Sequence, residues 1–125
     1  MSVFHTLKVS KVVRQTPDAV SIALEIPEGL SDEFKYVSGQ YITFKVEVNG
    51  EKLNRSYSLC SSPCTGETHT IAVKEVKGGK VSNYIHDKVN VGDKIEVMPP
   101  DGRFILTPDP EKRRTYYFFG AGSGI

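Results

Sequence analysis

Tryptophan is absent from this chain, and cysteine occurs only twice, at Cys60 and Cys64. The first absence leaves any flat-ring stacking to the six tyrosines and six phenylalanines. The second excludes a disulfide framework, and with no further thiol pair it excludes a four-cysteine zinc site. Both thiols read as ordinary side chains, Cys60 in a strand and Cys64 in the turn after Pro63, with contact of Cys60 to a ring held by Tyr57 as the alternative. An excess of one charge is lacking too. Sixteen basic residues against fifteen acidic ones leave a formal charge of +1, too little to draw in nucleic acid or an anionic membrane. No apolar run is long enough for a signal peptide or a membrane span, so a cytoplasmic protein is expected. His5, His69 and His86 are scattered without ligand spacing, and no metal site is expected. What remains is 125 residues, 38% apolar and 25% charged, enough for one domain with a real core.

The pattern inside that domain is mostly of period two. Residues 4–14, 19–26, 39–48 and 69–76 alternate apolar with polar, which puts every second side chain on one face of a strand. Asn49-Gly50 is the strongest hairpin signal and joins the third strand to one carrying Arg55. Residues 30–36 are polar and read as one irregular helical turn. Residues 80–88 change period: Val81, Tyr84, Ile85 and Lys88 fall at helical spacing after Gly78-Gly79. Residues 94–99 return to strand, and residues 115–119, with four aromatics in a row, read as a last buried strand. Six or seven short strands and one helix argue for a closed antiparallel barrel.

The most informative stretch is Arg55-Ser56-Tyr57-Ser58. In a strand Arg55 and Tyr57 share one face and Ser56 and Ser58 the other. A guanidinium fork beside a phenol plate suits a ligand with both phosphate and a flat ring, such as a flavin nucleotide. A second segment, Gly78-Gly79-Lys80-Val81-Ser82, opens the helix. A helix start leaves backbone N–H groups unpaired, and glycine lets a phosphate approach them. The same glycines would equally serve a plain strand-to-helix turn. If both segments meet at one end of the barrel they clamp a pyrophosphate, which favours FAD over FMN. The terminal Gly120-Ala121-Gly122-Ser123-Gly124 after the aromatic strand reads as the opening of a nucleotide-binding α/β unit, or else as a flexible glycine tail.

Taken in order, Arg55-Ser-Tyr-Ser58, Gly79-Lys-Val-Ser82 and the terminal glycine run resemble ferredoxin–NADP reductase-type flavoenzymes. Gly39-Gln40 and Gly102-Arg103-Phe104 extend the resemblance over the whole chain. Within that family the opening residues, the Arg-x-Tyr-Ser-Leu-Cys form and Gly-Gly-Lys-Val-Ser-Asn-Tyr resemble the reductase components of phenylacetyl-CoA oxygenase systems, which serve phenylacetate degradation. The resemblance implies a six-stranded antiparallel Greek-key barrel with one capping helix over residues 1–114. It implies that residues 115–125 are the first strand and glycine turn of a truncated nicotinamide-nucleotide domain.

It also implies roles. Arg55 would hold the flavin pyrophosphate within the binding run Arg55, Ser56, Tyr57 and Ser58. Tyr57 would pack on the isoalloxazine or ribityl, and Ser58 would set its hydroxyl near flavin N5, where hydride arrives. Val73 and Lys74 would touch the flavin through their backbone. Gly79, Lys80, Val81 and Ser82 would receive phosphate. Gly120, Gly122 and Gly124 would begin the nicotinamide site. Electrons would pass from NADH or NADPH through FAD to a 2Fe-2S centre beyond this chain, and on to an oxygenase component or ferredoxin. The rivals are a non-catalytic flavin-binding or regulatory barrel, and an interaction barrel that binds no nucleotide. Exposed aromatics at residues 116–119 would favour self-association of the chain.

Overall fold

The computed structural model describes residues 3–106 and 109–121. Six strands and one helix follow in the order β1 (His5–Thr16), β2 (Ala19–Glu25), β3 (Tyr41–Val48), β4 (Glu51–Ser58), β5 (His69–Lys74), α1 (Lys80–Lys88) and β6 (Lys94–Asp101). A 3₁₀ turn at Glu28–Leu30 lies just ahead of the expected irregular helical turn. The strands run β4-β3-β6-β1-β2-β5, all neighbours antiparallel. An isolated bridge between Leu59 and Ile71 brings the two ends of that order together. The result is the expected six-stranded antiparallel barrel, with α1 the one α-helix among the described residues.

Local chemistry accounts for the bends a barrel needs. β1 pairs with β6 through His5–Lys8 and with β2 from Lys8 onward, and its register slips between Val9 and Lys11. Such a bulge turns a long strand from one side of a barrel to the other. Pro99 and Pro100 lie where the β3–β6 register shifts between Tyr41 and Thr43, so neither interrupts a regular ladder. At the β3–β4 hairpin Asn49 has φ 51° and Gly50 φ 80°, the paired left-handed conformation that Asn-Gly adopts readily.

Alternate residues fill the interior: Leu7, Val9, Ile22, Phe44, Ile71 and Val97 are all buried. Phe34, from the loop before β3, closes one end and meets His5 and His69 edge-on at 5.8 and 6.3 Å. α1 joins the core through Val81 and Ile85. Each such side chain contributes on the order of 1.5–3 kcal/mol by leaving water.

Residues 115–119 are a correction to the sequence reading. They form no strand, and Tyr117, Phe118 and Phe119 are 79, 80 and 96% exposed. Aromatic content makes a segment apt for a sheet interior, but a strand exists only where a neighbour accepts its backbone hydrogen bonds. None of the six described strands pairs with this segment. No helix of the described residues is long and apolar enough to cross a membrane.

Candidate functional site

β3 and β4 are in full register from Val48–Glu51 to Tyr41–Ser58. Ile42, Phe44 and Val46 are buried, so their partners Tyr57, Arg55 and Leu53 lie on the inward face of β4. β4 is at one end of the strand order and only Leu59, just past it, bridges to β5, so its outer edge is unpaired. On the inward face Leu53 and Tyr57 pack partly against the core while Arg55 is exposed. Tyr57 is half-buried, its ring edge-on to Phe44 at 5.9 Å. Burial pushes its phenol up from the ordinary value, with Arg55 partly opposing. Arg55 is exposed; its Nη1 donates to the Asn54 carbonyl at 2.8 Å, and among the described residues no carboxylate pairs with it. The fork therefore keeps donors for an incoming anion. On the opposite face Ser56 Oγ lies 2.8 Å from Thr43 Oγ1. Ser58, the last residue of β4, is exposed with Tyr41 across from it.

The second segment meets the other end of the same strand. Lys80 Nζ donates to Glu51 Oε2 at 3.2 Å, which puts the start of α1 beside the start of β4. Glu51 and Arg55 share a strand face about 13 Å apart. Arg55 and Tyr57 thus lie toward one end of β4 and the helix start beside its other end, rather than both at one end of the barrel. The exposed Lys80–Glu51 pair is weak and open to competition from a phosphate.

Around the helix start, Gly78 has φ +77° and open space about it. Ser82 Oγ accepts from Val76 N–H at 3.2 Å and Asn83 Nδ2 donates to the Val76 carbonyl at 3.3 Å. These bonds fix the loop against the first turn while leaving the Ser82 proton free to donate. A Cβ on Gly79 would come within 2.5 Å of Ser82 Oγ. The Val81 side chain is buried, so only its backbone can reach a ligand. No acidic residue occupies the first turn.

β5 lies at the other end of the strand order from β4. Thr70 turns its main chain toward β4, accepting from Cys60 N–H at 2.9 Å and donating to Ser61 Oγ at 3.1 Å. By strand alternation Lys74 faces the same way, whereas Val73 is buried and its main chain points toward β2. Gly120 is exposed and outside any regular element. Gly122 and Gly124 lie outside the described residues. Cys60 and Cys64 are free and exposed.

Two features escaped the sequence reading. A cleft of about 600 Å³ lies past the Ser58 end of β4 and is lined by residues such as Phe34, Tyr36, Gln40, Glu67 and His69, none of them among the expected ligands. The second is a cluster at the C-terminal turn of α1. His86 Nδ1 lies 2.7 Å from Asp87 and 3.4 Å from Glu75, while Nε2 faces Arg14 Nη1 at 2.6 Å and the Pro17 carbonyl at 3.1 Å. The hydrogen bond to Asp87 raises the imidazole pKa most; desolvation opposes, Glu75 and Pro17 add to the rise, and Arg14 counters it. The three acid and imidazole groups lie within 4.8 Å of one another. Only Asp87 adjoins His86 in sequence, so spacing gave no signal.

Residues 6–105 match the family model described as the oxidoreductase FAD-binding domain. The chain is 40% identical over 125 residues to one of the subunits of 1,2-phenylacetyl-CoA epoxidase of Escherichia coli (strain K12), covering 100% of this chain and 35% of that protein. It is 39% identical over 120 residues to the ferredoxin reductase component of 3-ketosteroid-9-alpha-monooxygenase of Rhodococcus rhodochrous, covering 95% of this chain and 33% of the relative. Among solved structures, phthalate dioxygenase reductase, described as a modular structure for electron transfer from pyridine nucleotides to [2Fe-2S], superposes with a TM-score of 0.69 at 29% identity. That match covers 83% of this chain and 32% of the other. The chain spans about a third of the length of these curated relatives.

Proposed function

The chain belongs to the oxidoreductase FAD-binding domain family, and from that membership we propose that it holds FAD along β4 and the start of α1, for a reductase drawing on NADH or NADPH. Arg55 takes the pyrophosphate with its unpaired fork. Gly79, Lys80, Val81 and Ser82 receive phosphate through the backbone of the helix start and the Ser82 hydroxyl. Lys74 contributes main-chain groups from the end of β5, and Tyr57 offers its ring as the plate on which the flat part of the nucleotide rests. Ser58 stands on the opposite strand face from Tyr57, so one ring touching both must cap the end of β4. There the Ser58 hydroxyl holds a proton toward flavin N5.

FAD, when bound, supplies the exchange between two-electron and one-electron transfer; the protein supplies orientation and surroundings. The relatives, named as parts of an epoxidase, a monooxygenase and a dioxygenase system, support an acceptor of the same kind: a 2Fe-2S centre, then an oxygenase component or ferredoxin.

The observation that carries this reading is that β4 sets an exposed, acid-free guanidinium and a half-buried phenol on one face, with a helix start beside the same strand. The test is titration of the flavin-free chain with FAD and with riboflavin, followed by flavin fluorescence. FAD should bind at least tenfold tighter, since one charge-assisted contact is worth about 1.5–3 kcal/mol. Equal affinities would remove the phosphate role from both segments.

A further inference from the structure

Gln40, just before β3, ties together three parts of the chain. Its side-chain Oε1 accepts from Val37 N–H at 3.0 Å, and its own N–H donates to the Val37 carbonyl at 3.2 Å, closing a tight turn. Its Nε2 donates to the Gly102 carbonyl at 3.3 Å, at the end of β6. Its main-chain carbonyl accepts from Leu59 N–H at 3.0 Å, the residue next to Ser58. The contacts around it are as close. A Cβ on Gly39 would fall 1.9 Å from the Phe104 carbonyl oxygen, and one on Gly102 would fall 3.0 Å from the Tyr41 ring. Tyr41 is the strand partner of Ser58.

Residues 37–41 and 101–104 therefore interlock at the end of the β3–β4 ladder. A ladder end frays unless something beyond it is held. Here the Gln40 carboxamide straps the turn to β6, and the Gln40 carbonyl continues the ladder one bond past Ser58. We infer that Gln40 is a positioning residue for Ser58, fixing where the Ser58 hydroxyl stands relative to the bound ring. The inference rests on the proposed place of Ser58 beside FAD. Gln40 itself acts through the backbone.

The test is a double-mutant cycle read on the midpoint potential of FAD bound to the chain. A residue that merely supports the fold alters stability and occupancy and leaves the potential of the occupied fraction unchanged. Ser58→Ala should shift the potential, Gln40→Ala should shift it in the same direction, and the double variant should show no more shift than Ser58→Ala alone. Gln40→Glu is run in parallel, because it keeps the acceptor for Val37 N–H and loses the donor to Gly102 even if Gln40→Ala folds poorly. A Ser58→Ala shift with no Gln40 effect, or with additive effects, overturns the positioning role and leaves Ser58 in place. No shift on Ser58→Ala overturns the place of Ser58 and the inference together.

Discussion

Replacing Arg55 by alanine should weaken FAD binding without unfolding the barrel. The guanidinium is exposed and bonded only to the neighbouring Asn54 carbonyl among the described residues, so its removal strands no buried charge. Stability should stay within about 0.5 kcal/mol of the parent. A charge-assisted contact to phosphate is worth about 1.5–3 kcal/mol, and exposure to solvent puts this one in the lower half of that range. About 1.5–2 kcal/mol corresponds to roughly a 10- to 30-fold loss of affinity. Lysine should restore part of it, having the charge without the planar fork. Added salt should erode the parent's affinity more than the variant's. Fluorescence titration of flavin-free protein reads all three, and circular dichroism melting checks the fold. Unchanged affinity in a folded Arg55→Ala protein would refute the assignment.

Gly39→Ala should be among the most damaging single changes. It adds a left-handed strain of about 1–2 kcal/mol to an overpacking cost of about 1–3 kcal/mol against the Phe104 carbonyl. Gly50→Ala, with open space, should show only the first, and urea unfolding of the two variants that came out alike would contradict the packing at Gly39. At His86 the raised pKa means the folded state binds the proton more tightly. Its stabilisation is fully present below the unfolded value of about 6.5 and lost as pH rises through the folded value. The melting-temperature gap between parent and His86→Gln should therefore narrow with rising pH; a gap that widens contradicts the ion cluster. The exposed Phe118 and Phe119 should promote self-association. Their joint replacement by serine should abolish concentration-dependent sedimentation, and its persistence would place the contact elsewhere.

The strands and α1 were legible because each rests on local information. Alternation marks which residues of 69–74 face the core, Asn49-Gly50 supplies its own left-handed angles, and Val81 and Ile85 fall one helical turn apart. Residues 115–119 misled for the same reason. Their composition speaks for a sheet interior, while the missing strand partner is a fact about the rest of the molecule. Arg55 and Tyr57 on one face of β4 followed from period two, and the structure sets them so. That the outer edge of β4 is unpaired depends on where the strand order ends, which no local pattern records. The Gln40 to Gly102 and Arg14 to His86 contacts span 62 and 72 residues, so only the closed barrel brings them together.

The most direct test of the central claim is to purify the chain, release whatever small molecule it carries, and identify that molecule by mass spectrometry beside the visible spectrum of the intact protein. A yellow protein that yields FAD is expected, or, where the preparation is colourless, one that turns yellow with bound FAD when the nucleotide is supplied. A protein that releases no flavin and takes up none at any reachable concentration would contradict it.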